Sequence, residues 1–275
     1  MVKSELLFGT AGVPHSAKAR SSVEGIERIK ELGLDAMELE FVRGVNMGKD
    51  TARAVKKVAV ENKVALSVHA PYYINLNSED KKKTEASKKR IWDSLVVGEE
   101  AGAEIVTFHP AYLGKSSREE CIQAVEKALE ELLEKLEKED MQIKLAPETT
   151  GKNSVFGSLK ETLELCKRLK GVQPMIDFAH LHARCNGCLK DKKDFLELLN
   201  RVPATYLKRL RMHVSGINYS DKGERNHLNM SEADFAYKEF LKALKAKKVA
   251  GVIICESPNL EGDALLMKEE WKRIT

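Results

Sequence analysis

The chain of 275 residues is predicted to fold as one (β/α)8 barrel, a single domain over residues 1–275. Eight short apolar runs rich in β-branched residues recur along it, and eight is the number of strands in such a barrel. Each run is followed by a polar turn and a longer segment with apolar residues at helical spacing. The length also suits this fold, which takes roughly 250 residues. No linker, low-complexity tract or block of like charge divides the chain.

The strands are predicted from runs that read, in order, ELLFGT from residue 5, AMELEF from 36, ALSVHA from 65, EIVTFHP from 104, QIKLAPE from 142, VQPMID from 172, RLRMHV from 209 and GVIICE from 251. A doubly wound open sheet is the main alternative. Such a sheet usually has fewer strands, and the segment GTAGVP lacks the G-x-G-x-x-G spacing of a phosphate-binding turn.

Capping boxes predict where several helices begin, because a serine side chain bonds a first-turn amide while an acid three residues later bonds back. They pair Ser21 with Glu24, Ser117 with Glu120, Ser158 with Glu161 and Ser231 with Asp234. The segment EECIQAVEKALEELLEKLEKE has the apolar spacing and the charged outer face of an amphipathic helix.

The composition is that of a protein with a full core and a heavily charged surface, with 43% hydrophobic and 32% charged residues. A net charge of +4 allows a polyanionic partner without requiring one. The sequence shows neither a secretory leader at its start nor an apolar stretch as long as a membrane span. Its five scattered cysteines lack the spacing of a disulfide framework. We therefore expect a cytoplasmic protein without a membrane partner.

Candidate metal ligands stand at the ends of six consecutive strands, where a (β/α)8 barrel carries its catalytic groups. Strands three to eight and the loops that follow them supply His69, His109, Glu148, Asp177, His180, His213, Glu224, His227 and Glu256. So many carboxylates and imidazoles at one barrel mouth would need protons or cations. Histidines and acids without cysteine suit zinc, and manganese or iron stay open.

The number of candidates predicts more than one metal, because a single catalytic zinc takes three protein ligands. Nine candidates indicate two or three metals per chain. Glu148 is able to bridge two of them and is the candidate catalytic residue. Clustered metals are a common means of hydrolysing phosphodiesters, since they activate a water and stabilise the attacking and leaving oxygens.

These segments resemble the endonuclease IV family of apurinic/apyrimidinic endonucleases, within the xylose-isomerase-like barrels. The resemblance covers nearly the whole chain, in order, and rests on VHAPYYINL, TFHPA, APETTGK, IDFAH, MHVSGINYS and CESP, which are similar to the family's motifs on strands three to eight. It implies a DNA-repair hydrolase with a trinuclear zinc cluster that cleaves double-stranded DNA 5′ to an abasic site.

The resemblance also implies which residues hold each zinc. The first zinc would take His69, His109 and Glu148; the second would take Glu148, Asp177, His213 and Glu256; and the third would take His180 and two residues of the loop after strand seven. Tyr72 would lie in a lesion-recognition loop. The chain departs from the family after strand seven, where Glu224-x-x-His227 replaces Asp-x-His and a Gly-Glu-Gly segment is missing. Arg225 in that loop is a candidate DNA phosphate contact.

Other polar residues receive more limited predictions. Glu38 and Glu40 share one face of the second strand, and one of them is a candidate for orienting a ligating histidine. His182 has no counterpart in the family pattern and is expected to lie in a loop. Cys185 and Cys188 have no second cysteine pair nearby to complete a zinc site, so we expect a disulfide or two free thiols beyond the sixth strand.

Two other functions stay open. A sugar isomerase or epimerase of the xylose-isomerase-like barrels would use one or two metals at the same strand ends, and one metal per chain would favour it. A non-catalytic barrel would bind abasic DNA without turning it over. We expect the protein to be a monomer whose partner is double-stranded DNA with abasic sites.

Overall fold

Eight parallel strands form the barrel in the structure, a computed structural model that describes residues 5–274. Residues 1–4 and 275 lie outside the described residues. Both ends of the predicted single domain, and the first residues of the segment expected to contain no secretory leader, fall there. The barrel strands are β1 (Leu6–Ala11), β2 (Ala36–Glu40), β3 (Ala65–His69), β4 (Ile105–Phe108), β5 (Lys144–Pro147), β6 (Met175–Asp177), β7 (Leu210–Val214) and β10 (Gly251–Cys255).

The order of the strands confirms the predicted barrel. Neighbours run β5-β4-β3-β2-β1-β10-β7-β6, all parallel. Parallel bridges from Leu145 to Val172 and from Glu148 to Met175 join the fifth and sixth strands and close the ring. Seven of the eight predicted runs contain their barrel strand whole, and β1 extends one residue beyond the first run, to Ala11.

Helices connect the strands and cover the outside of the barrel. They are α1 (Ser22–Glu31), α2 (Lys49–Asn62), α3 (Lys81–Ala101), α4 (Arg118–Lys138), α5 (Leu159–Arg168), α6 (Phe178–Arg184), α7 (Lys192–Leu199), α8 (Ala204–Leu207), α9 (Tyr237–Ala246) and α10 (Glu261–Arg273). No helix among residues 5–274 is both long and apolar enough to cross a membrane.

The predicted capping boxes differ in their outcome. Those at Ser117 and Ser158 form with both reciprocal bonds, and Ser21 accepts a bond from the Glu24 amide. The prediction for Ser231 with Asp234 is wrong. A 3-10 turn over Met230–Glu232 is capped instead by Asn229 with Glu232, because the Asp234 carboxylate bonds Tyr219 and contacts His182.

An antiparallel hairpin follows β7, where the sequence indicated only a loop. It consists of β8 (Gly216–Ser220) and β9 (Gly223–Leu228) and packs against α6. The two predicted loop ligands, Glu224 and His227, are therefore residues of a strand.

The alternation of side chains along each strand decides where the candidate ligands point. Leu66 and Val68 of β3 belong to the large core between sheet and helices, so Ser67 and His69 face the barrel interior. Met212 of β7 belongs to that core in the same way, and His213 faces inward. Strand ends meet at one mouth of a barrel, and the inward-facing side chains there converge.

Candidate metal centre

Six of the nine predicted ligands form two groups whose ligand atoms lie within 4.8 Å of one another. The first group is His69, His109 and Glu148, and the second is Glu148, Asp177, His213 and Glu256. These are the two sets that the family resemblance implied for the first two zincs. Glu148 belongs to both groups, so they are neighbours that share one carboxylate.

Glu148 presents one carboxylate oxygen to each group. Its Oε2 lies 3.3 Å from His69 Nε2 and 3.4 Å from His109 Nε2. Its Oε1 lies 3.1 Å from His213 Nδ1, which is itself 3.4 Å from Glu256 Oε1. Two atoms each about 2.1 Å from a tetrahedral zinc lie about 3.4 Å apart. The observed separations therefore fit atoms that share a metal ion.

Several buried polar atoms at this point have no hydrogen-bond partner within residues 5–274. They include both oxygens of Glu148, Asp177 Oδ2, His213 Nδ1 and Glu256 Oε2. A buried polar atom without a partner is costly and rare in folded proteins. Because these atoms converge, divalent cations would satisfy them together, and the donor set fits such ions.

The acids of the centre have shifted pKa values that depend on one another. Burial raises the pKa of Glu148, but His213 and His109 outweigh burial and hold that pKa well below its usual range. Burial, together with the charges of Glu148 and Asp177, raises the pKa of Glu256 to about 8. The centre therefore holds Glu148 as a carboxylate and disfavours the ionisation of Glu256 unless cations are added.

Two of the imidazoles contact a backbone carbonyl through Nδ1, which in His180 also lies 3.2 Å from Glu148 Oε1. His69 Nδ1 lies 2.8 Å from the carbonyl oxygen of Ala70, and His180 Nδ1 lies 3.0 Å from that of Thr149. A carbonyl only accepts, so both rings donate from Nδ1 and keep Nε2 free for a ligand. Backbone carbonyls thus fix which nitrogen each of these histidines offers.

His213 is oriented in the opposite sense by Glu38. Glu38 Oε1 lies 2.8 Å from His213 Nε2, which leaves Nδ1 toward Glu148. Ser67 Oγ donates to the other oxygen of Glu38 at 2.6 Å. This contact supports the prediction that one acid of β2 orients a candidate ligating histidine, with Glu38 as that acid, and the ligation itself stays a prediction. Glu40 has no such contact, and burial with the charges of Glu38 and Glu256 raises its pKa to about 8.

The third predicted group is looser than the first two. His180 Nε2 lies 3.3 Å from Glu224 Oε2. His227 stands further back, with its ring centre 5.6 Å from that of His180 and its Nδ1 3.1 Å from Ser215 Oγ. The three side chains lie near one another but do not form a group as close as the first two, and their ligation of a third metal stays a prediction.

A β-bulge explains how the altered spacing Glu224-x-x-His227 still presents both residues to His180. Tyr219 pairs with Glu224 but Asn218 pairs with Asn226, so Arg225 has no residue opposite it. In a regular strand, residues three apart point to opposite faces. The extra residue of the bulge returns Glu224 and His227 to the same face.

Gly151 allows the hairpin to approach the fifth-strand loop closely. Its amide donates to Glu224 Oε2 at 2.9 Å, and a Cβ at residue 151 would lie 2.1 Å from that oxygen. Lys152, which no sequence pattern singled out, lies 3.8 Å from Glu224 Oε1. Its place in APETTGK directly after Gly151 was the only available signal.

The two predicted DNA contacts are accessible at the barrel mouth. Tyr72 is 52% exposed, and its ring lies edge-on to that of His69 with the centres 5.6 Å apart. Arg225 is exposed at the bulge of β9. Tyr73 and Tyr112 are also large exposed aromatic residues in the loops after β3 and β4, and no sequence signal had selected Tyr112.

Residues Cys185 and Cys188 form a disulfide in the loop after α6, one of the two predicted states. The prediction that His182 lies in a loop is wrong. It lies within α6 and is fully buried. Its ring nitrogens contact the Leu189 amide and Asp234.

Comparison with known proteins assigns the chain to a family. A family model described as a xylose isomerase-like TIM barrel matches residues 26–274. The chain belongs to this family. Together with the two buried ligand groups, family membership identifies a metal-binding TIM-barrel enzyme.

Individual relatives differ in what their names say. The chain is 41% identical to the uncharacterized protein MJ0133 of Methanocaldococcus jannaschii, over 98% of both chains. It is 27% identical to the probable endonuclease 4 of Aquifex aeolicus, over 71% of this chain and 70% of that one.

Solved structures agree on the fold and divide on activity. A D-tagatose 3-epimerase-like protein matches with a TM-score of 0.72 and 24% identity, covering 96% of each chain. Endonuclease IV from Thermus thermophilus matches with a TM-score of 0.71 and 18% identity, covering 97% of this chain and 100% of that one. At these identities the likeness shows the fold alone.

Proposed function

We propose that the protein is a metal-dependent endonuclease that cleaves the DNA phosphodiester 5′ to an abasic site. The observation that carries this proposal is Glu148, whose two oxygens face two different ligand groups. A carboxylate in this position would serve as a ligand at both metal sites. Paired metals suit in-line displacement at phosphorus, where both the attacking and the leaving oxygen gain charge.

The residues of this chain would act mainly by holding and orienting. His69 and His109 would hold one metal with Glu148, and Asp177, His213 and Glu256 would complete the other site. The bound ions would supply an activated water and stabilise charge on the phosphate oxygens. Glu38 keeps His213 Nδ1 aimed at the centre, and the Ala70 carbonyl does the same for His69 Nε2.

The surroundings of the centre suit a substrate with a negative backbone and exposed bases. Tyr72 and Tyr73 offer exposed rings beside the mouth, where a ring can stack on a base or fill an abasic gap. Arg225 and Lys152 place positive charge beside the third ligand group, and contacts of this kind neutralise phosphates. The similarity to the probable endonuclease 4 of Aquifex aeolicus also supports DNA as substrate.

A sugar epimerase is the second candidate, favoured by one observation. The group Glu148, Asp177, His213 and Glu256 is by itself a complete four-residue site for a single metal. The similarity in fold to the D-tagatose 3-epimerase-like protein agrees with it. An epimerase with one metal leaves His69 and His109 without a role at the centre, whereas the two-metal proposal uses both.

Nicking of plasmid DNA with abasic sites tests the proposal. Metal-stripped protein should not nick the plasmid, and added zinc should restore nicking. Glu148→Gln should abolish nicking in the presence of zinc, because the neutral amide is a poor bridge between two cations. Glu130→Gln, on the exposed face of α4, is the matched control and should nick like the wild type.

The same preparation should be assayed for epimerisation of free ketoses. Zinc-loaded wild type that epimerises a ketose and never nicks abasic DNA would contradict the proposal and favour the second candidate. Tight binding of abasic DNA without nicking or epimerisation would indicate a non-catalytic barrel.

A further inference from the structure

The third ligand group is split between two elements that are not continuous in sequence. His180 lies on α6, whereas Glu224 and His227 lie on β9 of the hairpin. The docking of hairpin on helix therefore decides whether the three side chains meet. We propose that a clamp of His182, Asp234 and Tyr219 sets this docking and so positions the third metal site, an inference that rests on the proposed function.

The apolar contact between helix and hairpin leaves their relative position loosely specified. Ala179 and Ala183 of α6 form a small buried cluster with Ile217 of β8, and Tyr219 packs against it. Alanine side chains are too small to interlock with the facing residues, and hydrophobic contact is not directional. Directional bonds are needed to fix how far the hairpin slides along the helix.

The clamp supplies these bonds. The Leu189 amide lies 3.2 Å from His182 Nδ1, and since an amide only donates, His182 must carry its proton on Nε2. Nε2 then donates to Asp234 Oδ1 at 3.1 Å. The other oxygen of Asp234 accepts from the Tyr219 hydroxyl at 2.6 Å. The helix is thus joined to the hairpin through one carboxylate.

Packing around the clamp holds its members in place. The His182 ring is fully buried, edge-on to Tyr219 and to Phe235, with centres 5.4 Å and 5.7 Å away. Phe235 is itself buried, so it anchors the neighbouring Asp234. Gly187 leaves room for the Tyr219 hydroxyl, because a Cβ there would lie 2.0 Å from that oxygen.

The register of the hairpin carries the effect of the clamp to the ligands. Tyr219 is directly opposite Glu224 across the hairpin, and Ile217 is directly opposite His227. The two β8 residues that dock on α6 are therefore the partners of the two β9 residues that face His180. A shift of Tyr219 on the helix would shift Glu224 by a similar amount, and metal coordination tolerates about 0.2 Å.

Tyr219→Phe and Asp234→Asn test the clamp through zinc content and zinc affinity. Both should keep two zincs per chain and bind the third roughly 10- to 100-fold more weakly than the wild type. Zinc per chain is measured after dialysis against a graded series of chelator concentrations. Tyr219→Phe removes a single oxygen atom, so thermal unfolding should show a folded protein even if Asp234→Asn is less stable.

The matched control is Tyr237→Phe on α9, which removes the same oxygen atom from a tyrosine outside the clamp. It should match the wild type. Wild-type affinity for every zinc in both clamp variants would overturn the inference. Loss of all zincs together would also overturn it, because the clamp would then support the whole fold. A wild type that binds only two zincs would overturn the inference, because no third site would exist to be positioned, and would leave the proposed two-metal function standing.

Discussion

The contacts of Glu38 decide which nitrogen His213 offers to the centre. Glu38 is fully buried and lies between Ser67 and His213, and its own charge is kept by the histidines around it. Burial raises the pKa of Glu38, but the charges of His213 and His69 and the bond from Ser67 bring it below its usual value. A carboxylate that orients a ligating histidine typically makes it a better ligand.

Glu38→Gln should therefore weaken zinc binding at the second group by roughly 10- to 100-fold. An amide keeps the shape of Glu38 but removes the negative charge that lies 2.8 Å from His213 Nε2. Competition with a fluorescent chelator measures the affinity. Glu61→Gln, exposed in the last turn of α2 at the end of the barrel opposite the mouth, serves as control. Unchanged affinity in Glu38→Gln would show that His213 needs no such partner.

At the scale of elements, the bulge at Arg225 offers a sharp test of how the hairpin presents its ligands. Deletion of Arg225 gives Glu-x-His on an unbroken strand, and residues two apart share a face. The deletion variant should therefore keep its third zinc. Insertion of one alanine after Arg225 should release that zinc, since it lengthens the bulge and separates Glu224 from His227.

These two variants control for each other, because both change the length of β9 by one residue. Circular dichroism and thermal unfolding would show whether each variant folds. Loss of the third zinc on deletion, with retention on insertion, would contradict the assignment of the bulge.

The loop after α6 is held by more than its disulfide. The Gly187 amide donates to the His182 carbonyl at 2.8 Å, and the Leu189 amide contacts the His182 ring. The disulfide closes a loop of only a few residues between Cys185 and Cys188, and such a closure adds about 2 kcal/mol.

We expect Cys185→Ser/Cys188→Ser to lose about 2 kcal/mol of unfolding free energy and to keep its zinc and its nicking activity. Chemical denaturation measures the first quantity, and zinc content and plasmid nicking measure the others. The wild type under a reducing agent is the matched control and should behave like the double variant. Simultaneous loss of zinc and activity would mean that the cysteines belong to the metal centre.

At the scale of the whole molecule, the crowded centre makes stability depend on pH and on metal. Burial raises the pKa of Glu40 and Glu256 from 4.5 to about 8, with neighbouring acids adding to the effect. Burial lowers the pKa of His69, but contacts with Glu148 and Glu40 outweigh it and raise that pKa from 6.5 to about 10. Between the ordinary pKa values of these groups and their raised values, the folded protein therefore binds more protons than the unfolded chain.

Unfolding free energy falls with rising pH wherever the folded state binds more protons. Metal-free protein should thus lose stability as the pH rises from 6.5 to 8. In this interval Glu256 in the folded state releases its proton, and His69 still holds a proton that the unfolded chain has lost. Zinc displaces those protons, so its stabilising effect should grow over the same interval. Melting temperatures with and without zinc at several pH values measure both trends. A zinc effect that shrinks as the pH rises would contradict the assignment of these groups to the centre.

Most of the fold could be predicted from the sequence because its signals are local. Each strand of the barrel is a short apolar run, and the ligands of the first two groups stand at the ends of those runs. The strand ends of a barrel meet at one mouth, so the order of the strands along the sequence was enough to place Glu148 among four histidines.

The parts that escaped prediction depend on pairings that no local pattern records. The hairpin was missed because its register contains a bulge, which breaks the alternation that identifies a strand. Asp234 was assigned to a helix cap because it follows Ser231 by three residues, whereas its partners His182 and Tyr219 lie far away in sequence. His182 was expected in a loop because it has no counterpart in the family pattern, whereas it lies within the seven-residue helix α6.

The number of zinc ions per chain tests the central claim, that Glu148 joins two metal sites, most directly. Protein loaded with zinc, freed of loosely bound metal and analysed by mass spectrometry should hold two or three ions per chain. Glu148→Ala should lower this number by at least one, with Glu130→Ala as the control that keeps it. A wild type that holds a single zinc, unchanged by His69→Ala or His109→Ala, would contradict the claim.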